Sequence, residues 1–176
     1  MSIFKRLFKT DKEPVPEEVV MKAIYDNDID SFKNCIKQYT PEQIKLNSNP
    51  DEFSALHIAC SEGRSEIAEL ILSEPISETP NLSRINNFYP IHACAMNGHK
   101  RTVELLIQKG ADINVQTDPQ LYSPLHSASF AGHLETVKLL VKNGANTNLK
   151  NYRDELPIDT AERQNETEVV EFLKKA

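Results

Sequence analysis

Apolar and polar positions along the chain follow one template written four times. Its copies are Ser54-Ala55-Leu56-His57, Tyr89-Pro90-Ile91-His92, Ser123-Pro124-Leu125-His126 and Leu156-Pro157-Ile158-Asp159, and their last residues are 35, 34 and 33 positions apart. After each comes a small residue (Ala59, Cys94, Ala128, Ala161), then Gly63, Gly98, Gly132 or Asn165. An apolar pair closes each copy: Leu70-Ile71, Leu105-Leu106, Leu139-Leu140 and Phe172-Leu173. Self-similarity at such a period marks a repeat architecture, in which each copy is one supersecondary unit.

Local chemistry predicts two short helices per copy. Ser54 and Ser123 stand where a hydroxyl can cap a helix, and Pro90, Pro124 and Pro157 occupy the first helical position, where a missing N–H costs nothing. The glycine that follows can take the left-handed conformation that ends a helix, and a second helix with apolar positions such as Val103, Leu105 and Leu106 runs back. Such a hairpin buries one face only, so neighbours must stack, and the product is a one-dimensional solenoid.

The ends of the array read as caps. Val19 to Gln38 is a degenerate copy, with Ala23 matching Ala59, Asn27 matching Gly63 and Phe32 matching Ala68. Thr40-Pro41-Glu42-Gln43 predicts a capping box that opens a short extra turn. At the other end Glu162, Arg163, Gln164, Glu166 and Glu168 make the last copy unusually polar, as a unit with one face in water must be. The expected organisation is a tail and linker over 1–15 and an array over 16–176, divided into 16–49, 50–83, 84–117, 118–150 and 151–176. That makes five units and about ten short helices.

The copies resemble the ankyrin-repeat family. Gly98-His99, Gly132-His133, Gly110-Ala111-Asp112-Ile113-Asn114 and Gly144-Ala145-Asn146-Thr147-Asn148 reproduce that family's pattern almost letter for letter, and the match runs over about residues 50 to 176. The resemblance implies an all-α solenoid of helix-turn-helix units with β-turn fingers and a concave face used for partners. Four residues before each anchor, on the finger, stand Phe53, Phe88, Tyr122 and Glu155; four after it, on the inner helix, stand Ser61, Met96, Phe130 and Arg163. Three finger aromatics one unit apart predict a ladder that Met96 and Phe130 extend, of the residue types enriched at interface cores. The competing reading is that the rings pack sideways against one another and against the loop stems. Where the family's turn has glycine, this chain has Glu52, Asn87, Leu121 and Asp154, so atypical tips are expected, and the loops Ser73 to Pro80 and Val115 to Leu121 are lengthened. Tyr152 and Arg153, with Asp51, Glu52, Glu62, Asn87 and Gln120, are the expected polar rim.

Composition narrows the function classes. With 39% apolar and 26% charged residues and a net charge of −6, the chain should fold, and its acidic balance weakens a nucleic-acid reading. No apolar run is long enough to span a bilayer, no secretory leader is expected, and three cysteines without paired spacing fit a reducing cytoplasmic or nuclear compartment. His92, Cys94 and His99 do not share a helix face, and every glycine and histidine is taken up by the repeat, so no catalytic constellation, phosphate loop, metal site or cofactor is expected.

The first ten residues stand apart. Lys5, Arg6 and Lys9 give them +3, leaving about −9 on the remainder, and on a helix Ile3 would stack with Leu7 and Phe4 with Phe8. This segment is a candidate docking tail for a protein or, peripherally, a membrane surface. The function expected from these observations is a non-catalytic interaction module, an adaptor or scaffold that holds a protein or peptide, with a basic segment favoured as ligand. The alternative is a structural subunit of a larger assembly docked through Phe4, Lys5, Arg6, Phe8 and Lys9.

Overall fold

Each unit of the chain turns on a left-handed residue and each of the last four begins with a cap, and the computed structural model, which describes residues 16–46, 53–83 and 85–176, shows both devices in place. The Ser54 and Ser123 hydroxyls accept from the backbone N–H groups of His57 and His126 at 3.4 and 3.3 Å. Pro90, Pro124 and Pro157 open their helices. The turn residues Asn27, Gly63, Gly98, Gly132 and Asn165 all have positive φ, between 55° and 71°. Thr40 and Gln43 close the expected capping box, with Gln43 N–H to Thr40 at 3.4 Å and Thr40 N–H to Gln43 at 3.0 Å.

Among the described residues the result is eleven α-helices. The first unit holds α1 (Pro16–Tyr25), α2 (Ile29–Gln38) and the single extra turn α3 (Pro41–Lys45). Four hairpins follow: α4 (Ala55–Ser61) with α5 (Ser65–Ile71), α6 (Pro90–Met96) with α7 (Lys100–Gln108), α8 (Pro124–Phe130) with α9 (Leu134–Lys142), and α10 (Pro157–Gln164) with α11 (Thr167–Leu173). A 3-10 turn, Ile85–Asn87, precedes α6. Helices α1, α4, α6, α8 and α10 pack side by side in one layer, and α2, α5, α7, α9 and α11 form the second. The architecture is an all-α solenoid, as the resemblance implied.

The layers close on one another through small residues. Ala59, Cys94, Ala128 and Ala161 are each fully buried, which lets the inner helices approach closely, while Ile67, Val103, Leu106, Val137 and Leu140 fill the space between layers. Cys35, Cys60 and Cys94 are free thiols inside the core, and burial pushes the Cys60 thiol well up, away from thiolate character.

Two rows of side-chain bonds tie the units together. The inner row runs forward: His57, His92 and His126 each donate Nε2–H to a carbonyl of the next finger, those of Phe88, Tyr122 and Glu155, at 3.0, 3.0 and 3.1 Å. The Nδ1 atoms of His92 and His126 accept from the N–H groups of Tyr89 and Ser123 at 3.2 Å, which leaves the proton on Nε2. Burial holds the His92 ring neutral, its pKa lowered to about 4, and lowers that of His126 as well. The outer row runs back: His99 and His133 donate to the carbonyls of Ser61 and Met96 at 2.9 and 3.0 Å. At the same position of its unit, Arg64 reaches the carbonyls of Ile24 and Tyr25 at 3.2 and 2.9 Å. Glycine is required beside this row, because a Cβ on Gly63 or Gly98 would stand 2.6 Å from the ring of His99 or His133.

Candidate partner-binding groove

The fingers and the inner helices together form one wall. Phe53, Phe88 and Tyr122 leave their fingers beside the anchor histidines, with ring centroids 5.6, 5.5 and 5.7 Å from His57, His92 and His126. The histidine that fixes one finger's ring therefore bonds the backbone of the next finger, so ring positions are set by the same contacts that hold the stack.

The expected ladder is present but opens once. Phe53 and Phe88 touch, with centroids 5.7 Å apart, and Tyr122 meets Tyr152 edge to face at 6.5 Å. Between Phe88 and Tyr122 lies instead a hollow of about 330 Å³, walled by Phe53, Phe88, Met96 and Tyr122 and floored by Thr117 and Ser127. The lengthened loop before Tyr122 lines the gap with Thr117 and Gln120. Thr117 is buried and closes that loop on itself, its N–H donating to the Tyr122 carbonyl at 3.0 Å and its hydroxyl accepting from the Tyr122 N–H at 3.1 Å. Phe88 and Tyr122 are half-buried rather than free, so sideways packing and solvent exposure are both present on the same rings.

Two further hollows continue the groove. One of about 310 Å³ lies between Tyr25, Phe53, Ile58, Phe88 and Met96, with Glu62 at its edge; the other, about 130 Å³, lies between Met96, Tyr122, Ser127 and Phe130. Met96 borders all three. Phe53, Met96, Leu121, Phe130 and Tyr152 are the large apolar side chains left more than a third exposed among the described residues.

The last unit supplies a charged end. Arg163 lies over the Phe130 ring at 5.9 Å, pairs with Glu155 at 3.4 Å and reaches the Tyr122 hydroxyl at 3.4 Å. Arg153 covers the Tyr152 ring at 5.0 Å. Glu155 is itself held by buried Asn151, whose amide donates to it at 2.8 Å.

Asn87, Leu121 and Asp154, which stand where glycine is usual, adopt positive φ of 51°, 54° and 61°. In Leu121 this leaves a large apolar side chain in water on a strained backbone, a cost of about 1 kcal/mol or more. Asp51 and Glu52 lie outside the described residues, as do Phe4, Lys5, Arg6, Phe8 and Lys9 of the candidate docking tail.

Two groove residues, Tyr25 and Asn86, lie outside those the sequence pattern picks out. Tyr25 stands two positions before Asn27, as Met96 and Phe130 stand before Gly98 and Gly132, so the repeat register carried its signal. Asn86 sits two positions before Phe88, as Gln120 does before Tyr122. Among the described residues no three or more His, Cys, Asp or Glu side chains gather to hold an ion, and no helix is long and apolar enough to cross a membrane.

Comparison with known proteins places this geometry. Residues 51–82 match the model of an ankyrin repeat and residues 77–151 that of ankyrin repeats in three copies, together more than half of the chain. Alpha-latrocrustotoxin-Lt1a of Latrodectus tredecimguttatus is 30% identical over 102 residues, 58% of this chain and 7% of that protein. The human transient receptor potential cation channel subfamily A member 1 is 40% identical over 63 residues, 35% of this chain and 6% of that protein. An ankyrin repeat-containing protein of Schizosaccharomyces pombe is 36% identical over 59 residues, 34% of this chain and 28% of that protein. The chain thus spans less than a third of the length of each of these relatives. On the template, the solenoid and these matches, the chain belongs to the ankyrin-repeat family.

Proposed function

We propose that the chain is a non-catalytic interaction module, one array over 16–176, that holds a protein or peptide partner in its concave groove. Phe53, Phe88, Met96, Tyr122 and Phe130 are the anchors, with Tyr152 and Arg153 on the rim. Ankyrin repeats in general mediate protein–protein contact, and one observation carries the assignment to this face. Three of the five large apolar side chains left exposed among the described residues, Phe53, Met96 and Phe130, border neighbouring hollows that share Met96, instead of being scattered singly. A contiguous apolar patch with a polar rim is the usual form of an interaction site. Neither the rings nor the histidines behind them present an activated nucleophile or a general base beside a reacting position.

The test is paired affinity capture from native extract with wild type and a Phe88→Ala, Tyr122→Ala variant of verified helicity. One specific partner is lost by the variant, and its affinity measured with purified components falls by about 2 kcal/mol or more. Equal binding by both proteins would remove the groove from the function.

A further inference from the structure

The groove carries a second repeated feature that concerns the form of its occupant. Asn86 and Gln120 stand at the same position of successive fingers, two residues before Phe88 and Tyr122, and both border the 330 Å³ hollow. Both side chains are exposed, and among the described residues neither carboxamide makes a hydrogen bond. Their backbones are engaged: the Asn86 carbonyl accepts from Asp118 N–H at 2.7 Å, and the Gln120 carbonyl from Tyr152 N–H at 3.1 Å. Two carboxamides on held backbone, each with a free donor and acceptor, therefore border an apolar hollow.

We propose that the groove takes an extended peptide segment, not a helix, with large apolar side chains three residues apart and basic flanks. The inference rests on the groove reading above and adds the conformation and chemistry of the partner. Inside a helix the main-chain N–H and C=O groups are already paired, so free amides along the groove would have nothing to bond. An extended segment brings an unpaired donor and acceptor with every residue, and these must be satisfied when the segment leaves water. A carboxamide supplies both partners at once.

Spacing gives the period. Inner helices pack about 8–10 Å apart, so successive hollows are separated by roughly that distance. A polyproline-type chain rises about 3.1 Å per residue with three residues per turn, so every third side chain returns to the same face after about 9 Å. The occupant places one apolar side chain between Phe88 and Tyr122 and the next beside Phe53 and Tyr25. Charge selects the flanks: the full chain carries −6, Glu62 edges the first hollow, and exposed Asp118 sits on the finger of the second.

The experiment pans a phage-displayed random dodecapeptide library on the full chain. The best enriched sequence, made synthetically with a fluorophore, is then titrated against wild type, an Asn86→Ala, Gln120→Ala variant and the Phe88→Ala, Tyr122→Ala variant. Expected are sequences with large apolar residues at positions i and i+3 beside Lys or Arg, and at least a tenfold loss of affinity in the amide variant at unchanged helicity. Enrichment of helix-forming sequences with apolar residues seven apart, affinity indifferent to Asn86 and Gln120, or no enrichment would overturn the proposal. Loss in the ring variant with none in the amide variant would overturn the extended form and leave the groove standing. Indifference to both variants would remove the groove itself.

Discussion

The inner and outer rows of ring-to-carbonyl bonds have the same chemistry and different surroundings. His57, His92 and His126 are almost wholly buried and bond forward to the next finger, whereas His99 and His133 are half-exposed and bond back to the preceding inner helix. A hydrogen bond is worth about 1 kcal/mol net where water can replace it, while a buried partner left unpaired costs about 1–3 kcal/mol. The comparison therefore predicts unequal dependence. The inner row holds both the stack and the groove rings, and the outer row trims the seam between successive units.

The largest break comes from the inner row. His92→Ala leaves the Tyr89 N–H and the Tyr122 carbonyl without their partner and opens a cavity behind Phe88, so a loss of about 3 kcal/mol is expected in urea unfolding. A loss below 1 kcal/mol would mean that the ring only fills space. His92→Gln keeps a carboxamide able to make both bonds, in the capping-box arrangement, and should recover most of the difference.

Acid should separate the rows next. The His92 pKa falls from an unfolded value near 6.5 to about 4, because burial penalises the charged ring. The unfolded chain then binds more protons between those values, so the stability tied to the neutral ring is complete above about pH 6.5. It drains away as the pH falls toward 4. The full span corresponds to about 3 kcal/mol, to which His126, lowered in the same direction by burial, adds. Urea midpoints across pH 4 to 7 check this, and His92→Gln, which cannot titrate there, should flatten the slope. An equal slope in wild type and His92→Gln would assign the acid sensitivity to other groups.

In the outer row, His133→Ala removes the bond to the Met96 carbonyl but admits water to it. The expected loss is about 1 kcal/mol, visible as faster hydrogen exchange where α6 meets the α8–α9 hairpin before any change in the global midpoint. If the loss matched that of His92→Ala, burial would not be what distinguishes the rows.

Much of this comparison was legible in the sequence, for a physical reason. A repeat needs the same cap, turn and small residue in every unit, so Ser54, Pro90, Gly98 and Ala128 announce themselves by recurrence, and the anchor histidines with them. Recurrence also located Phe53, Phe88 and Tyr122. It could not show that the ladder opens between Phe88 and Tyr122, because that gap depends on how one loop folds around Thr117. Nor could it show Arg64 taking the place of histidine, since a guanidinium and an imidazole reach the same carbonyls by different geometry. The free amides of Asn86 and Gln120 were hidden for a third reason: an unused hydrogen-bonding group is recognised only once its neighbours are known to be engaged.

The smallest predicted effect is a gain. Glu166 occupies the outer-row position of the last unit, where Arg64, His99 and His133 donate to a carbonyl of the unit before. Its carboxylate lies against Gly132 yet has no hydrogen-bonding partner among the described residues, and it does not cap α11. A carboxylate is a hydrogen-bond acceptor and cannot serve the carbonyl of Phe130, which corresponds to those of Ser61 and Met96. Glu166→His restores a donor in the geometry that His133 uses one unit earlier. The gain from that bond is about 1 kcal/mol, reduced by losing a negative charge near the start of α11, so about 0.5 kcal/mol should remain. It should register as slower hydrogen exchange in α11 and a slightly higher urea midpoint. Unchanged exchange would mean that the outer row contributes to stability only between central units, where both sides of the seam are already fixed.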